Sequence, residues 1–427
     1  MLLLVLVAGL IYGPYLNRTI SYDEAYTLRH YAFSPVYALL SYTLPNNHIL
    51  NSFLIWIMTS LAGKSELVVR FPAFAAGLLS LAAVYHLTNR FFGQLAGLLS
   101  AAILMCHPVF ILYAISARGY SLSILLTLLL ITLVLHSGRP NRATTYSLIA
   151  ICAGLILTLP SMAVLVAAVG AWALIKRRAV VPPIVVGTIV GGMFYLAAFS
   201  RGTFHDVGGG YYGLSTPAAL LGEFVDLVFT SALAPGILLG LLAVVGAIGL
   251  ARRRVSLGLL LVAVFVIPAV LVLVQWVVRG DVFFGRNYLF LLGPLALLAG
   301  YGCRMLFRRW SLGLVPICMA LSMIAAPVAI PQEGTVLLMQ RIQANLRPGE
   351  TIVIGNDLNE PVWYYLGHQH QDWFTPDIEH GRVYFVETNY QLLSDLLTEY
   401  KLNRPGLRCQ PAGAEWEPFQ VKVCYLP

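Results

Sequence analysis

Long apolar runs separated by short polar connections dominate the first 330 residues of the chain. An α-helix rises about 1.5 Å per residue, so about 17 to 25 apolar residues cross the hydrocarbon of a bilayer. The stretch 48–63 is short for a span, and we interpret it as a helix lying in the membrane interface. The remaining runs predict an all-α polytopic membrane domain over 1–330, with eleven transmembrane helices near 1–16, 67–88, 94–114, 120–137, 144–159, 161–175, 180–199, 232–251, 256–278, 287–303 and 311–330.

The pattern changes after residue 330. Residues 331–427 hold twelve Asp or Glu and seven Lys or Arg, and their apolar runs are short. The segments TIVIGND and RVYFVET have the pattern of strands, whereas YQLLSDLLTEYKL has helical spacing. We therefore expect 331–427 to form a small soluble α/β domain.

Composition agrees with a membrane protein. Of the 427 residues, 59% are hydrophobic and 11% are charged, whereas soluble domains have about 25% charged residues. The pI of about 9.2 arises from short basic clusters between apolar runs, which is typical of topology signals and not of a nucleic-acid interface. The first residues, MLLLVLVAGLIYGPYL, lack a basic n-region and a small-residue cleavage site, so we expect a retained first span and not a signal peptide.

Charge predicts the orientation. If the N-terminus is cytoplasmic, twelve basic residues in clusters lie on the inner side, against eight outside, and all seven acids before residue 331 lie outside. This predicts a protein of the plasma (inner) membrane with an extracytoplasmic terminal domain. Cys409 and Cys424, the two cysteines in a polar region, could form a disulfide in such a compartment, although two free thiols fit the sequence equally well.

Two adjacent acids, Asp23 and Glu24, follow the first predicted span. Ionisable groups at a membrane boundary are costly and tend to be functional. A carboxylate there could accept a proton from a hydroxyl that attacks a sugar C1. Ser21 and Glu24 also match a helix capping box. The two roles are compatible, with Glu24 capping a helix while Asp23 faces the site.

His48 and three arginines complete the candidate chemistry. His48 follows Asn47 and could hydrogen-bond an acceptor or a phosphate, although Asn47 could also be a plain N-cap. Arg70, Arg118 and Arg286 fall at outward membrane boundaries, where topology disfavours positive charge. Because arginine binds phosphate bidentately, these residues would hold a lipid phosphate. The alternative is snorkelling toward lipid headgroups.

The loop 201–217 is rich in glycine and aromatic residues. Tyr211 and Tyr212 could stack on a sugar face, but a plain flexible connection explains the loop equally well. Outside this loop, Asn47 is a further weak candidate for contact with the acceptor or its sugar. His205 and Asp206 are too weak a signal for a metal site, and the chain has no DxD pair. We therefore expect no metal or other cofactor.

Taken in order, D-E after the first span, N-x-H, V-V-R-F-P, A-R-G-Y-S and R-N-Y-L-x-x-x-x-P resemble the C-type (GT-C) glycosyltransferase superfamily over about residues 1–330. The chain is most similar to the bacterial branch related to protein O-mannosyltransferases and to the lipid A aminoarabinose transferase. The resemblance implies transfer of a sugar, with inversion, from a polyprenyl-phosphate donor. It makes Asp23 the base and Glu24 its neighbour, and His48 matches the histidine of an H-P-P-like segment in which Ile49 replaces the first proline. Tyr120 and Tyr288, within the two arginine motifs, are assigned with them to donor binding.

Other functions stay open at this point. A transporter or flippase for lipid-linked sugars would be expected to show paired halves and broken helices at mid-membrane. A ligase that moves a whole glycan from a lipid diphosphate would use similar groups. The expected partners are a lipid-linked donor, membrane lipid and a protein, lipid or glycan acceptor, and nucleic acid is not among them.

Overall fold

Apolar helices form most of the computed structural model. It describes residues 1–42, 46–196, 216–230, 234–251, 255–280, 282, 284–307, 313–314, 317, 321, 335–347, 350–367, 374, 381–388, 391–399 and 407–426. Tyr211 and Tyr212, and most of the predicted span 311–330, lie outside these ranges.

Numbered in chain order, the helices before residue 310 are α1 Leu2–Tyr12, α2 Tyr22–His30, α3 Pro35–Leu40, α4 Ile49–Ala62, α5 Glu66–Phe92, α6 Gln94–Met105, α7 Pro108–Ala114, α8 Tyr120–His136, α9 Arg142–Thr158, α10 Met162–Lys176, α11 Val181–Met193, α12 Pro217–Val225, α13 Ala234–Ala251, α14 Val255–Arg279 and α15 Leu292–Leu306. Most of the predicted spans appear as helices that begin and end within a few residues of the predicted bounds. The short segment α4 is also helical, as its apolar run predicts.

The predicted span 94–114 does not form one continuous helix. The run 94–114 divides into α6 and α7, which meet at an angle of 73°. Pro108 opens α7, and His107 before it is extended, with φ −76° and ψ 119°. A residue that precedes proline is sterically pushed out of the helical region, so the break follows from the His-Pro pair. The predicted start of the span 287–303 also changes, because Gly285–Leu291 forms a 3₁₀ segment before α15.

The number of membrane spans stays a prediction. By length and composition, three described helices can cross a bilayer, or up to five if each of two bent pairs forms one span. Six further apolar helices have 10 to 17 residues. These helices support a multi-pass membrane protein.

Two helices of this part, α13 and α15, pack with their backbones in close contact. A Cβ on Gly246 of α13 would clash with the carbonyl oxygen of Leu298 in α15. A Cβ on Gly302 of α15 would likewise clash with the carbonyl oxygen of Leu242 in α13. Small residues therefore allow α13 and α15 to approach at the distance typical of membrane helix pairs.

The C-terminal residues form a four-stranded sheet with short helices. Strands β1 Thr351–Ile354, β2 Gly381–Val386, β3 Arg408–Pro411 and β4 Val421–Leu426 lie in the order β1-β2-β4-β3. β1 and β2 are parallel, and β4 runs antiparallel to both β2 and β3. The helices are α16 Thr335–Asn345, α17 Asn356–Val362 and α18 Leu393–Glu399. The two predicted strands and the predicted helix are present, and the mixed α/β class is confirmed.

Cys409 and Cys424 lie directly opposite each other in β3 and β4 and are joined by a disulfide. The bond closes a loop with a sequence separation of 15.

The chain divides into two compact units. One comprises Met1–Asn17 and Tyr31–Ile330, and the other comprises Arg18–His30 and Pro331–Pro427. The helix α2, which carries Asp23 and Glu24, thus belongs to the same unit as the C-terminal sheet. The sequence placed it with the membrane helices because it directly follows the first apolar run.

Candidate functional site

His48 is the centre of a polar cluster in the helical unit. It occupies the N-cap position of α4 and is buried, with 3% of its surface exposed. Its Nδ1 accepts a hydrogen bond of 2.8 Å from the backbone N–H of Gly119. The ring of Tyr120 meets the imidazole edge-on, with ring centroids 4.9 Å apart. Two contacts thereby fix the orientation of the ring.

The protonation state of His48 follows from this arrangement. Burial lowers the pKa of His48 well below its ordinary value, and the charges of Arg118 and Arg286 lower it further. The imidazole is therefore neutral at neutral pH. Because Nδ1 accepts from Gly119, Nε2 must carry the proton. His48 thus offers an uncharged N–H donor close to two guanidinium groups.

Arg118 is also buried and is fixed by the segment before α4. Its guanidinium donates to the backbone carbonyl of Asn46 at 3.2 Å and to the side-chain oxygen of the same residue. It also lies 5.9 Å from the centre of the Tyr120 ring. The sequence reasoning did not assign a role to Asn46, although the adjacent Asn47 and His48 were signals for it.

Gly119 is a second residue that the sequence reasoning missed. A Cβ at this position would lie 2.7 Å from His48 Nδ1 and 2.9 Å from the Thr158 side chain. Such distances are too short for a real side chain, so only glycine lets the Gly119 N–H reach the imidazole. Its place next to Arg118 in the A-R-G-Y-S motif was the available signal.

The 3₁₀ segment Gly285–Leu291 carries Arg286 and Tyr288. The carboxylate of Glu223 accepts the N–H of Gly285 at 2.6 Å, and the Ser161 hydroxyl lies 3.4 Å from the carbonyl oxygen of Asn287. Arg286 lies over the ring of Phe284 at 4.7 Å. These contacts hold the segment from both sides of Arg286.

Two features of this segment are open to a ligand. Within the described residues, no carboxylate forms an ion pair with Arg286. The buried hydroxyl of Tyr288 likewise has no hydrogen-bond partner in the part of the chain that the structure describes. A buried hydroxyl normally has a partner, so both groups are suited to an anionic ligand with oxygen acceptors.

Asn47 has a structural role in these contacts. Its amide nitrogen donates to the carbonyl oxygens of Ala38 at 3.2 Å and Ser41 at 2.7 Å. Its oxygen accepts from the Ser52 hydroxyl at 2.7 Å. The amide is therefore used to fasten the start of α4 to the segment before it.

Arg70 is fully buried in α5 and donates to the backbone oxygen of Leu16 at 2.8 Å. Leu16 belongs to the 3₁₀ turn Gly13–Asn17 that follows α1. Carbonyl groups at the end of a helical segment carry partial negative charge, so a guanidinium stabilises them. This contact gives Arg70 a structural function besides any function in binding.

Asp23 and Glu24 occupy the first turn of α2 in the other unit. Glu24 is fully buried, and its Oε2 accepts from the backbone N–H of Ser21 at 2.9 Å and from its hydroxyl at 3.0 Å. This is the reciprocal contact of a capping box. Asp23 is partly exposed. The geometry therefore separates the two acids into a helix-capping glutamate and an accessible aspartate.

Among the described residues, no group of three or more His, Cys, Asp and Glu side chains could hold a metal ion.

Comparisons with known proteins connect this arrangement to a fold. Residues 45–200 match the model of the dolichyl-phosphate-mannose-protein mannosyltransferase family. Comparison with the sequences of curated proteins finds no match. Among solved structures, ArnT from Cupriavidus metallidurans in the apo state is similar, with a TM-score of 0.67 and 14% identity over 99% of this chain and 97% of that one. The same protein bound to undecaprenyl phosphate gives a TM-score of 0.66 over the same shares, also with 14% identity.

The oligosaccharyltransferase of Archaeoglobus fulgidus is also similar. Its TM-score is 0.54, with 14% identity, over 84% of this chain and 61% of that chain. The chain has the GT-C fold. The resemblance found in the sequence is thereby confirmed for the fold, and residues 45–200 carry the sequence similarity to the mannosyltransferase family. Within the GT-C fold of this chain, His48, Arg118 and Gly119 all fall inside the segment that matches the family model.

Proposed function

We propose that the protein is an integral membrane glycosyltransferase that moves a sugar from a polyprenyl-phosphate donor to an acceptor on the extracytoplasmic face. The observation that carries the proposal is the cluster around His48. A neutral N–H donor there lies within electrostatic range of Arg118 and Arg286. These groups have the chemistry that a phosphate monoester leaving group requires.

The cluster would act on the leaving group. Arginine remains charged when it is dehydrated and matches phosphate oxygens bidentately. Arg286 and Arg118 would hold the lipid phosphate and stabilise the charge that develops on it. His48 would donate Nε2–H to a phosphate or ester oxygen without adding a third positive charge. The similarity to ArnT, which has been solved bound to undecaprenyl phosphate, supports a lipid phosphate as the ligand.

Asp23 would act on the acceptor. Its carboxylate takes the proton of the acceptor hydroxyl as that oxygen attacks C1 of the sugar. The C1–O bond to phosphate breaks, and the electron pair leaves with the polyprenyl phosphate. Attack from the face opposite the leaving group inverts the configuration at C1. The proton on Asp23 then passes to solvent.

The test is a transfer assay with the purified full chain and defined lipids. Polyprenyl-phosphate-linked sugars should be consumed, with release of polyprenyl phosphate, and the same lipid should be found by mass analysis of the purified protein. Consumption only of polyprenyl-diphosphate-linked glycan would favour a ligase. Movement of intact donor across vesicle membranes without release of lipid phosphate would favour a flippase. The first outcome would refute the proposed donor class, and the second would refute the proposed transfer reaction.

A matched pair of variants ties the result to the cluster. Arg286→Gln should lose the co-purifying lipid, whereas Arg142→Gln should retain it. Arg142 is an exposed residue in the first turn of α9. Equal retention by both variants would show that the lipid binds elsewhere.

A further inference from the structure

The helix α2, which carries Asp23, is held at both ends by residues of the C-terminal part of its unit. At its start, the backbone N–H of Ile20 donates to the hydroxyl of Tyr365 at 3.1 Å. At its end, Arg29 forms an ion pair of 3.2 Å with Glu360. The guanidinium of Arg29 also lies 3.8 Å from the centre of the Trp363 ring. We call Glu360, Trp363 and Tyr365 the clasp.

Glu360 is unusual for a carboxylate because it is buried, with 6% of its surface exposed. Its Oε1 lies 3.2 Å from Arg29 and 3.4 Å from Nε2 of His30. Its Oε2 is buried and has no hydrogen-bond partner among the described residues. A buried charge is costly unless it is paired. The orientation of Glu360 is therefore tied to the last turn of α2.

The helix needs such contacts in order to form. It has nine residues, and an isolated helix shorter than about 12 residues is marginal in water. Its sequence YDEAYTLRH is polar, so little apolar burial stabilises it. The capping box at Glu24 closes its first turn, and the clasp supplies fixed contacts before its first turn and at its last one.

From these contacts we infer that Glu360, Trp363 and Tyr365 are positioning residues, which set the helicity and orientation of α2 for the proposed reaction. The inference rests on the proposed role of Asp23 as the base. It gives the C-terminal part of the chain an indirect role in turnover, through the placement of α2. A misplacement of about 1 Å in a catalytic group can lower a rate by about 100-fold, so loss of the clasp should act on kcat.

The chain offers a closely matched control. Lys422 forms an ion pair of 3.5 Å with Glu387 in the same unit. Its side chain is 38% exposed and its partner is 7% exposed, compared with 35% and 8% for Arg29 and Glu360. Arg29→Gln and Lys422→Gln therefore each remove one ion pair of similar burial, but only the first of these pairs touches α2.

The experiment compares both variants in the full-length protein by two readouts. Arg29→Gln should raise hydrogen exchange at the amides of residues 18–30, whereas Lys422→Gln should not. Arg29→Gln should also lower kcat by about 10- to 100-fold and leave the KM for the lipid donor unchanged, because the donor groups are not on α2. Trp363→Leu, which removes the ring under Arg29, should reproduce both effects.

The outcomes separate the clasp from the proposed function. Unchanged exchange in Arg29→Gln, or equal exchange in the two ion-pair variants, would overturn the clasp. Raised exchange with wild-type kcat would overturn its effect on turnover. Failure of the wild-type protein to transfer sugar would refute the proposed function, while the exchange data would still decide whether the clasp holds α2.

Discussion

The Nδ1 atom of His48 accepts a hydrogen bond of 2.8 Å from the backbone N–H of Gly119. The two residues are 71 positions apart, and each stands beside another residue of the cluster, Asn47 and Arg118. Their bond determines which nitrogen of the imidazole carries the proton. It therefore makes His48 a fixed donor through Nε2.

Replacement of His48 by asparagine or glutamine should separate the two functions of the imidazole, which are acceptance from Gly119 by Nδ1 and donation to the phosphate by Nε2–H. The oxygen of His48→Asn can take the place of Nδ1 and keep the bond to Gly119, while the Nε2–H is lost. A hydrogen bond to a charged group contributes about 1.5–3 kcal/mol, so affinity for polyprenyl phosphate should fall by about 10- to 150-fold. The melting temperature should change little. Binding and thermal unfolding in detergent measure the two quantities.

His48→Gln provides the reciprocal test. Its terminal amide reaches the Nε2 position but leaves the Gly119 N–H without an acceptor. This variant should lose stability and retain more lipid binding than His48→Asn. If the two variants bind lipid equally well, Nε2–H is not the donor to the phosphate.

Gly119→Ala should damage the same contact from the other side. Its Cβ would lie 2.7 Å from His48 Nδ1, so the imidazole or α8 must move. Overpacking of this kind costs about 1–3 kcal/mol, and lipid affinity should fall with it. Gly170→Ala in α10 is the control, because its added Cβ would meet nothing within 4 Å beyond its chain neighbours and the nearby backbone of its own helix. That variant should have unchanged affinity and equal or greater stability. If the two variants had the same lipid affinity and the same stability, the steric argument would be contradicted.

The substitution of lysine for Arg286 tests the geometry of phosphate binding. Lysine keeps the positive charge but loses the bidentate fork. We expect Arg286→Lys and Arg118→Lys to express and fold, with lipid affinity reduced about tenfold or more. Arg142→Lys serves as the control for a general effect of this change. Wild-type affinity in both cluster variants would refute a shared arginine clamp.

The lowered pKa of His48 predicts a pH dependence of stability. In the unfolded chain the imidazole takes up a proton near its ordinary pKa of about 6.5, whereas the folded protein resists protonation. The unfolded state therefore binds more protons as the pH falls below this value, and the free energy of unfolding decreases. The loss of melting temperature between pH 7.5 and pH 5.5 should be smaller in His48→Asn than in the wild type. An identical loss in both proteins would show that His48 does not titrate as inferred.

These residues also show what the sequence could predict. His48 and Arg118 were found because rare polar residues stand out at the ends of apolar runs, and most helices follow from the runs themselves. The His107-Pro108 pair is a local signal for the break in the helix at this point, but the length of the apolar run alone does not indicate it. In contrast, the ion pair between Arg29 and Glu360 spans 331 positions, and no periodicity or motif connects such residues. Contacts of this kind depend on how the chain folds back on itself.

The final prediction concerns Asp23 and Glu24, which are adjacent but differently placed. Glu24 is buried and accepts two hydrogen bonds from Ser21, while Asp23 is partly exposed in the same turn. Asp23→Asn keeps the shape and removes the basic carboxylate. General-base catalysis contributes about 10²- to 10⁴-fold, so kcat should fall on that scale with little loss of donor affinity. Glu24→Gln should have the milder effect, since glutamine also serves in a capping box.

Transfer rates of the two variants, measured at equal amounts of folded protein, decide between the acids. Full turnover by Asp23→Asn with an inactive Glu24→Gln would move the role of the base to Glu24. Full turnover by both would remove the pair from the mechanism. We propose Asp23 as the base because Glu24 is buried and its carboxylate accepts two hydrogen bonds from Ser21. A base must be accessible to the acceptor hydroxyl, and of the two acids only Asp23 is partly exposed.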